Sequence, residues 1–565
     1  MSDVSGPETR EPSPSALENP REPIDPHPPP IIGTGFHSTR ETTVNRTLIF
    51  LLFTAATAHA QSANLDPATM PRLGSVDERF QSYNVEMVEV TGGRFWKPYK
   101  STADAPASPG SGAPAGLNPN LFEYRPPIDL SNPRLRILAA ALAPAYVRVS
   151  GTWANSTWFQ DSDAPAPATP PAGFNSVLTR KEWKGVLDFA QVTHAGLVTS
   201  FAIGAGTRDA AGVWTPAQAQ SLLSFTQTQG GHIGAAEFMN EPTFAAIGGA
   251  PKGYDAAAFA RDLAVFEPVF RKQSPGSLLL GPGSVGEGPV AALAGVGVTL
   301  KSEDLLKATG PVFDGFSYHI YGGVSQRCAP PGSPMNIAAD SVLSPDWLTR
   351  SAKINAYYAG LRDRDDAGKP LWVTETADAA CGGNPWAATF LDTFRYLVQH
   401  GSLAQQGVQV ILHNTLASSD YGLLDEKSDE PRPNYWAALA WRRLMGTTVL
   451  NPAAKAQLSA ANVYLYAHCL SNHPGGVAVL IVNADRQQPF HATIPLAGVR
   501  YTLTAEDLQS PSVQLNGKTL QLDDAGSVPD LIGAKQPAGD LTVAPTSIEF
   551  IAIPTANNAA CQQKN

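Results

Sequence analysis

A (β/α)8 barrel followed by a β-sandwich is the architecture this sequence predicts, and three observations carry it. Between about residues 135 and 445, short apolar runs alternate with amphipathic stretches of helical spacing, the pattern of repeated strand–helix units. Two of these runs end in a carboxylate, at Glu241 and Glu375, where a barrel presents its working side chains. Beyond residue 446 the texture changes to short alternating segments with turn signals roughly every 8–12 residues, as in a sandwich.

The barrel strands expected are Ala145–Val149, Leu197–Ile203, Ile233–Met239, Leu278–Gly281, Gly315–His319, Leu371–Thr374 and Val408–His413. Val85–Val90 or Leu121–Tyr124 supplies the eighth. Helices are expected over Arg180–Ala195, Pro216–Gln229, Ala256–Gln273, Asp346–Asp365 and Trp386–His400. A doubly wound open sheet is the alternative, but no Gly-rich phosphate fingerprint follows any strand, and Gly204-Ala205-Gly206 is too short to be one. The sandwich segments are Val463–His468, Val477–Asn483, His491–Pro495, Tyr501–Ala505, Val513–Leu515, Thr519–Leu522 and Ser547–Ile553. The domain reading is a 1–60 extension with a leader, a 61–95 N-terminal segment, a 96–445 barrel and a 446–565 sandwich.

The 565 residues are 43% hydrophobic, enough to bury a large core. A net charge of -10 argues against nucleic acid as a partner, which selects a basic face. It also disfavours a highly sulfated polymer. Arg46–Ala60 has a basic lead, a compact apolar stretch and an Ala58-His59-Ala60 end, so a secretory leader ending near Ala60 is expected. That stretch is too short to span a bilayer, and no transmembrane segment is expected in the mature chain. Residues 1–40 are polar and Pro-rich, and translation starting near Val44 would account for them. Cys328, Cys381, Cys469 and Cys561 suit one or two disulfides in an oxidising compartment. Cys328 and Cys381 each follow a barrel strand and could meet at one rim, and a bridge from Cys469 to Cys561 would pin the tail. No cysteine or histidine cluster calls for a metal, and no cofactor is expected.

Two carboxylates delivered by strand ends into one pocket are the equipment for cleaving a glycosidic bond. Pro242 halts the fourth strand and leaves Glu241 at the mouth, placed as general acid/base. Asn240 is placed to hydrogen-bond a sugar 2-hydroxyl, and Glu375 is the nucleophile. Glu237, four residues back on the same strand, reads as a hydrogen-bonded interior carboxylate. Tyr321 ends the strand beside that of Glu375 and can donate to it, holding it ionised. His319 is either a buried, satisfied histidine or part of the site. Tyr421, in the loop after the eighth strand, is either a substrate contact or a core residue.

From Leu130 to Cys561 the chain resembles glycoside hydrolase family 79, the heparanase and β-glucuronidase family. The resemblance rests on Asn132–Ser150 (NPRLRILAAALAPAYVRVS), the Asn240-Glu241-Pro242 segment, Trp372–Glu375, Gly382-Gly383 and Asp420–Asp425. It continues through Pro433-Asn434-Tyr435-Trp436, Met445–Thr448, Tyr464–Cys469 and Ser512–Leu520 (SVQLNGKTL). It implies a retaining clan A enzyme on a carbohydrate substrate, here β-linked glucuronides, with Glu241 as acid/base, Glu375 as nucleophile and Tyr421 touching the uronate. It also implies a Cys469–Cys561 bridge and an N-terminal strand, near Tyr83–Val90, joining the sandwich. Where heparanase has a Tyr-Gly-Gly against the uronic acid, this chain has Ala380-Cys381-Gly382, leaving the Cys381 and Gly382 amides to bind the carboxylate. A β-glycosidase for a neutral sugar and a catalytically idle glycan-binding protein are the other readings.

Overall fold

The computed structural model describes residues 61–99, 118–290, 300–329, 332–453 and 462–562, so the leader-like run 46–60 lies outside the described residues. Eight parallel strands close into a barrel. They are β1 (Gln81–Glu86), β2 (Ala145–Ser150), β3 (Ala195–Ser200), β4 (Ile233–Glu237), β5 (Leu278–Ser284), β6 (Gly315–Tyr321), β7 (Leu371–Ala377) and β8 (Val408–His413).

The first strand corrects two expectations. β1 pairs with β8 and β2, so the barrel begins at Gln81 rather than at 96, and Tyr83–Val90 is not a sandwich strand. Every residue of β1 is buried, as for a parallel strand covered on both faces, and Met87–Thr91 continues it as a short helix. The segments that do join the sandwich lie earlier. Arg72–Ser75 runs antiparallel to Met445–Leu450, and Gln61–Asn64 runs parallel to Phe490–Ile494. The other proposed eighth strand is instead half of a ribbon, Phe122–Arg125 against Gly93–Trp96.

Helix starts follow their caps. Thr179 and Glu182 form a reciprocal capping box ahead of Arg180–Val192, and the Asp255 carboxylate accepts from Ala258 N at the head of Ala256–Gln273. The expected Asp346–Asp365 helix breaks at Thr349 into Pro345–Leu348 and Arg350–Asp365. Trp386–His400 shifts to Phe390–Gln405.

The sandwich sets a large antiparallel sheet, with Met445–Leu450, Val463–Leu470, Val477–Asn483, Ser547–Ile553 and Gly498–Thr504 adjacent in that order, against the three strands Gln61–Asn64, Phe490–Ile494 and Gly539–Val543. Leu465, Val479, Ile551, Phe490 and Val543 share the core between them. Thr519–Leu522 contracts to Lys518–Thr519, while Ala534–Gln536 and Gly539–Val543, set among Pro and Gly, were not anticipated.

Inside the barrel, Val198, Ala235, Leu280, Trp372, Val410 and Leu412 pack as an apolar floor. Polar groups directly above it have no water beneath them, so they must satisfy one another. That requirement shapes the site.

Candidate active site

The layer above the floor is built on Arg148 and Glu237, each 1% exposed, with Arg148 Nη2 2.9 Å from Glu237 Oε2. Glu237 Oε1 accepts from Ser317 Oγ and Thr374 Oγ1, both at 2.7 Å. Burial raises its pKa, but the Arg148 and His319 charges and the hydrogen bonds from Ser317 and Thr374 together outweigh this and the net shift is downward, so it stays ionised. Glu237 is therefore the interior carboxylate that its place on the strand suggested. Arg148 also reaches Asn240 Oδ1 at 2.8 Å and, through Nη1, Glu375 Oε2 at 3.0 Å.

Glu375 faces the cavity because β7 departs from strict alternation. Trp372 lies in the interior floor and Thr374 bonds the interior Glu237, so simple alternation would turn Glu375 outward. Tyr318 pairs with Val373, but the next residue, His319, pairs with Glu375. The extra residue in β7 re-aims the carboxylate, as β-bulges do beside active sites. Tyr321, at the end of β6, donates its O–H to Glu375 Oε1 at 2.6 Å.

Glu241 follows β4 and holds a left-handed backbone, φ 48° and ψ 63°, just before Pro242. Such a conformation in a non-glycine residue ahead of proline costs on the order of 1–3 kcal/mol and is found mostly at functional sites. Its Oε1 lies 3.0 Å from His319 Nδ1. One carboxyl oxygen of Glu241, one of Glu375 and a ring nitrogen of His319 all lie within 4.8 Å of one another. Burial raises the Glu241 pKa and the Glu375 charge adds to it, while the His319 hydrogen bond works in the opposite direction; the net is upward. Burial pushes the His319 pKa down, yet the Glu375 charge and the bond to Glu241 carry it above its ordinary value. His319 thus belongs to the site and bridges its two acids. Among the described residues these three groups also have metal-ligand spacing, but the Arg148 guanidinium 3.0 Å from Glu375 would repel an incoming cation.

The acids open into a cavity of about 310 Å³ lined by Glu86, Trp96, Trp153, Tyr321, Asn414 and Tyr421 among others. Asn414 donates to Glu86 Oε1 at 3.0 Å, to the Tyr321 hydroxyl at 3.2 Å and to the Tyr421 hydroxyl at 3.1 Å. Tyr421 is thus both buried and at the cavity wall. Asn240 is almost wholly buried, and with its Oδ1 committed to Arg148 only its amide nitrogen remains for a ligand. Cys381, Gly382 and Gly383 follow β7 with φ of 66°, 76° and 81°. Among the described residues no acceptor takes their backbone N–H groups, while Ser325 Oγ and Ser419 Oγ hold the carbonyls of Cys381 and Gly382 at 3.0 and 2.9 Å. Disulfides join Cys328 to Cys381 and Cys469 to Cys561.

Sequence reasoning missed Arg148, Glu86 and Asn414. An arginine within the apolar run Ala145–Ser150 was a readable signal, because a strand buried on both faces tolerates a charge only with partners. Glu86 was not marked, since Val85–Val90 was only one of two candidates for the eighth strand and lies four residues beyond the start of β1 at Gln81. Burial and the Glu375 charge raise the Glu86 pKa well above the carboxylate range.

No protein-family model matches the chain. Heparanase-like protein 1 from Arabidopsis thaliana is 27% identical over 77% of this chain and 86% of that protein. Baicalin-beta-D-glucuronidase from Scutellaria baicalensis is 31% identical, over 38% of this chain and 42% of that protein. The chain is thus similar to a heparanase-like protein over most of its length. Inactive heparanase-2 from Homo sapiens matches the chain too, at 26% over 69% of the chain and 67% of that protein, so likeness alone does not decide catalysis. Among solved structures, a 4-O-alpha-L-rhamnosyl-beta-D-glucuronidase from Fusarium oxysporum superposes with a TM-score of 0.57 at 14% identity, over 87% of this chain and all of that one, which supports the barrel-plus-sandwich fold. Beside Ala380 the cavity wall carries the Cys328–Cys381 bridge.

Proposed function

We propose that the protein is a secreted retaining β-glycosidase that hydrolyses β-linked glucuronides, with Glu241 as acid/base and Glu375 as nucleophile. The observation that carries this reading is the approach of the two carboxyl groups, with oxygens within 4.8 Å, against about 5–5.5 Å for retaining enzymes and a wider gap for inverting ones. Protonated Glu241 gives its proton to the departing oxygen as a Glu375 oxygen bonds to the anomeric carbon and the glycosidic C–O bond breaks. The ester so formed removes the Glu375 charge. That charge is one of the influences raising the Glu241 pKa, so Glu241 becomes more acidic when it must act as base. Glu241 then takes a proton from water, the water oxygen bonds to the same carbon, and the ester bond returns its electrons to Glu375. Tyr321 and Arg148 bind one Glu375 oxygen each and hold the carboxyl group aimed.

An acidic sugar is favoured by the backbone amide of Cys381, which lines the cavity and whose N–H no acceptor takes among the described residues, so that it can donate to a carboxylate. Two disulfides suit an oxidising compartment, and among the described residues no helix is long and apolar enough to cross a membrane. The test is hydrolysis of 4-nitrophenyl β-glucuronide by wild type, Glu375→Gln and Glu241→Gln, with the anomer of the first product read by NMR. Activity in the wild type alone, releasing the β-anomer first, is expected. Activity surviving Glu375→Gln, or an α-anomer first, would overturn the assignment. A faster β-glucoside would favour the neutral-sugar reading, and an inert wild type the glycan-binding one.

A further inference from the structure

We infer that the leaving-group side of the cavity is built for an apolar aglycone, so that the substrates are glucuronides of hydrophobic alcohols or phenols rather than sulfated polysaccharide. This inference rests on the glucuronidase reading. The acid locates the leaving group, because the proton of Glu241 goes to the departing oxygen, and the departing group must lie on the Glu241 side of the anomeric carbon.

The two sides of the cavity differ. Around Glu375 stand the polar groups of Tyr321, Asn414, Tyr421 and Glu86. The turn that follows Glu241 instead contributes Phe244 and Ile247, and Val285 follows β5, the neighbouring strand. Val324 and Met335, from the segment after β6, add further apolar surface to the cavity lining. Phe244 and Ile247 are only partly buried, so their apolar surface is open to an occupant. Gly286 fits closely under the Phe244 ring, whose nearest atom would lie 2.8 Å from a Cβ built there, so the wall is packed before any ligand arrives.

Charge points the same way. Among the described residues lining the cavity no lysine, arginine or histidine is present, and the ionisable ones are three glutamates and two tyrosines. A sulfated leaving group would bring anions beside Glu241, where none of the described lining residues is a lysine, arginine or histidine, in a chain of net charge -10. An alkyl or aryl group would lose its water against Phe244, Ile247, Val285 and Met335 and gain the hydrophobic term.

The test uses non-cleaved competitors, so that leaving-group reactivity plays no part. Methyl and octyl 1-thio-β-glucuronide and a heparan sulfate oligosaccharide are each titrated against 4-nitrophenyl β-glucuronide hydrolysis by the full-length enzyme. The octyl compound is expected to compete at least tenfold more tightly than the methyl one, and the sulfated oligosaccharide no better than the methyl one. In Ile247→Lys the octyl-to-methyl ratio is expected to fall toward one, whereas Ile247→Leu keeps it. Equal inhibition by octyl and methyl compounds, or tightest inhibition by the oligosaccharide, would overturn the inference while leaving the glucuronidase reading standing. Should wild type cleave a β-glucoside and no glucuronide, the sugar assignment is what fails, and the same octyl-to-methyl comparison with thioglucosides still decides the apolar wall.

Discussion

The Tyr321 hydroxyl donates to Glu375 Oε1 at 2.6 Å, and the same hydroxyl accepts from Asn414 at 3.2 Å. The phenol therefore has one orientation, and its proton belongs to the carboxylate. A hydrogen bond to a charged group contributes about 1.5–3 kcal/mol, which is roughly 10- to 150-fold in rate if it is spent on the reacting form of Glu375. Tyr321→Phe is expected to lower kcat by that order, read in steady-state kinetics with 4-nitrophenyl β-glucuronide. An unchanged kcat would mean that Arg148 alone orients the nucleophile.

Arg148 compensates Glu237 and Glu375 together in a layer with an apolar floor beneath it. Arg148→Met would leave both acids without their cation, and stability is expected to fall by about 3–5 kcal/mol in urea unfolding. Removing the partner charge as well, in Arg148→Met/Glu237→Gln, is expected to recover part of that loss. No recovery would place the cost in packing.

The pH profile carries a signed expectation. Glu241 must be protonated to release the leaving group, so kcat/KM falls as pH rises through its pKa, which lies above the ordinary carboxylate value. The His319 hydrogen bond and charge both hold that pKa down. In His319→Asn the alkaline limb is therefore expected to move to higher pH, with a lower maximum rate. A limb that moves down, or stays in place, would assign it to another group.

The two disulfides span 53 and 92 residues, a difference small enough in chain entropy that each is expected to contribute about 4 kcal/mol. Kinetics should separate them. Cys328→Ser/Cys381→Ser loosens the turn that presents the amide of residue 381 and is expected to raise KM for a glucuronide severalfold, more than for a β-glucoside. Cys469→Ser/Cys561→Ser is expected to lower Tm alone. Equal kinetic effects from the two pairs would remove the amide turn from substrate binding.

Seven of the eight barrel strands were legible because each is an apolar run bounded by helical periodicity, but their ends were not: β7 runs past Glu375 to Ala377, and β4 stops at Glu237, four residues before Glu241. β1 was ambiguous, since the chain from Gln81 to Val90 is continuously buried and changes from strand to helix at Met87 without a turn residue. Tyr321 was placed against Glu375 by strand adjacency alone. The roles of Arg148 and Asn414 depend on contacts between segments far apart in the chain, 227 residues for Arg148 and Glu375 and 328 for Asn414 and Glu86. No local pattern encodes such pairings.

The added residue in β7 also constrains anyone who would rebuild this chemistry elsewhere. A nucleophile transplanted onto an idealised strand of uniform pleat would point into the surrounding helices, and deleting one residue between Val373 and Glu375 in the native chain would do the same. The inward aim of Glu375 is in this sense a property of an irregularity, inherited only by scaffolds that copy the irregularity along with the side chain.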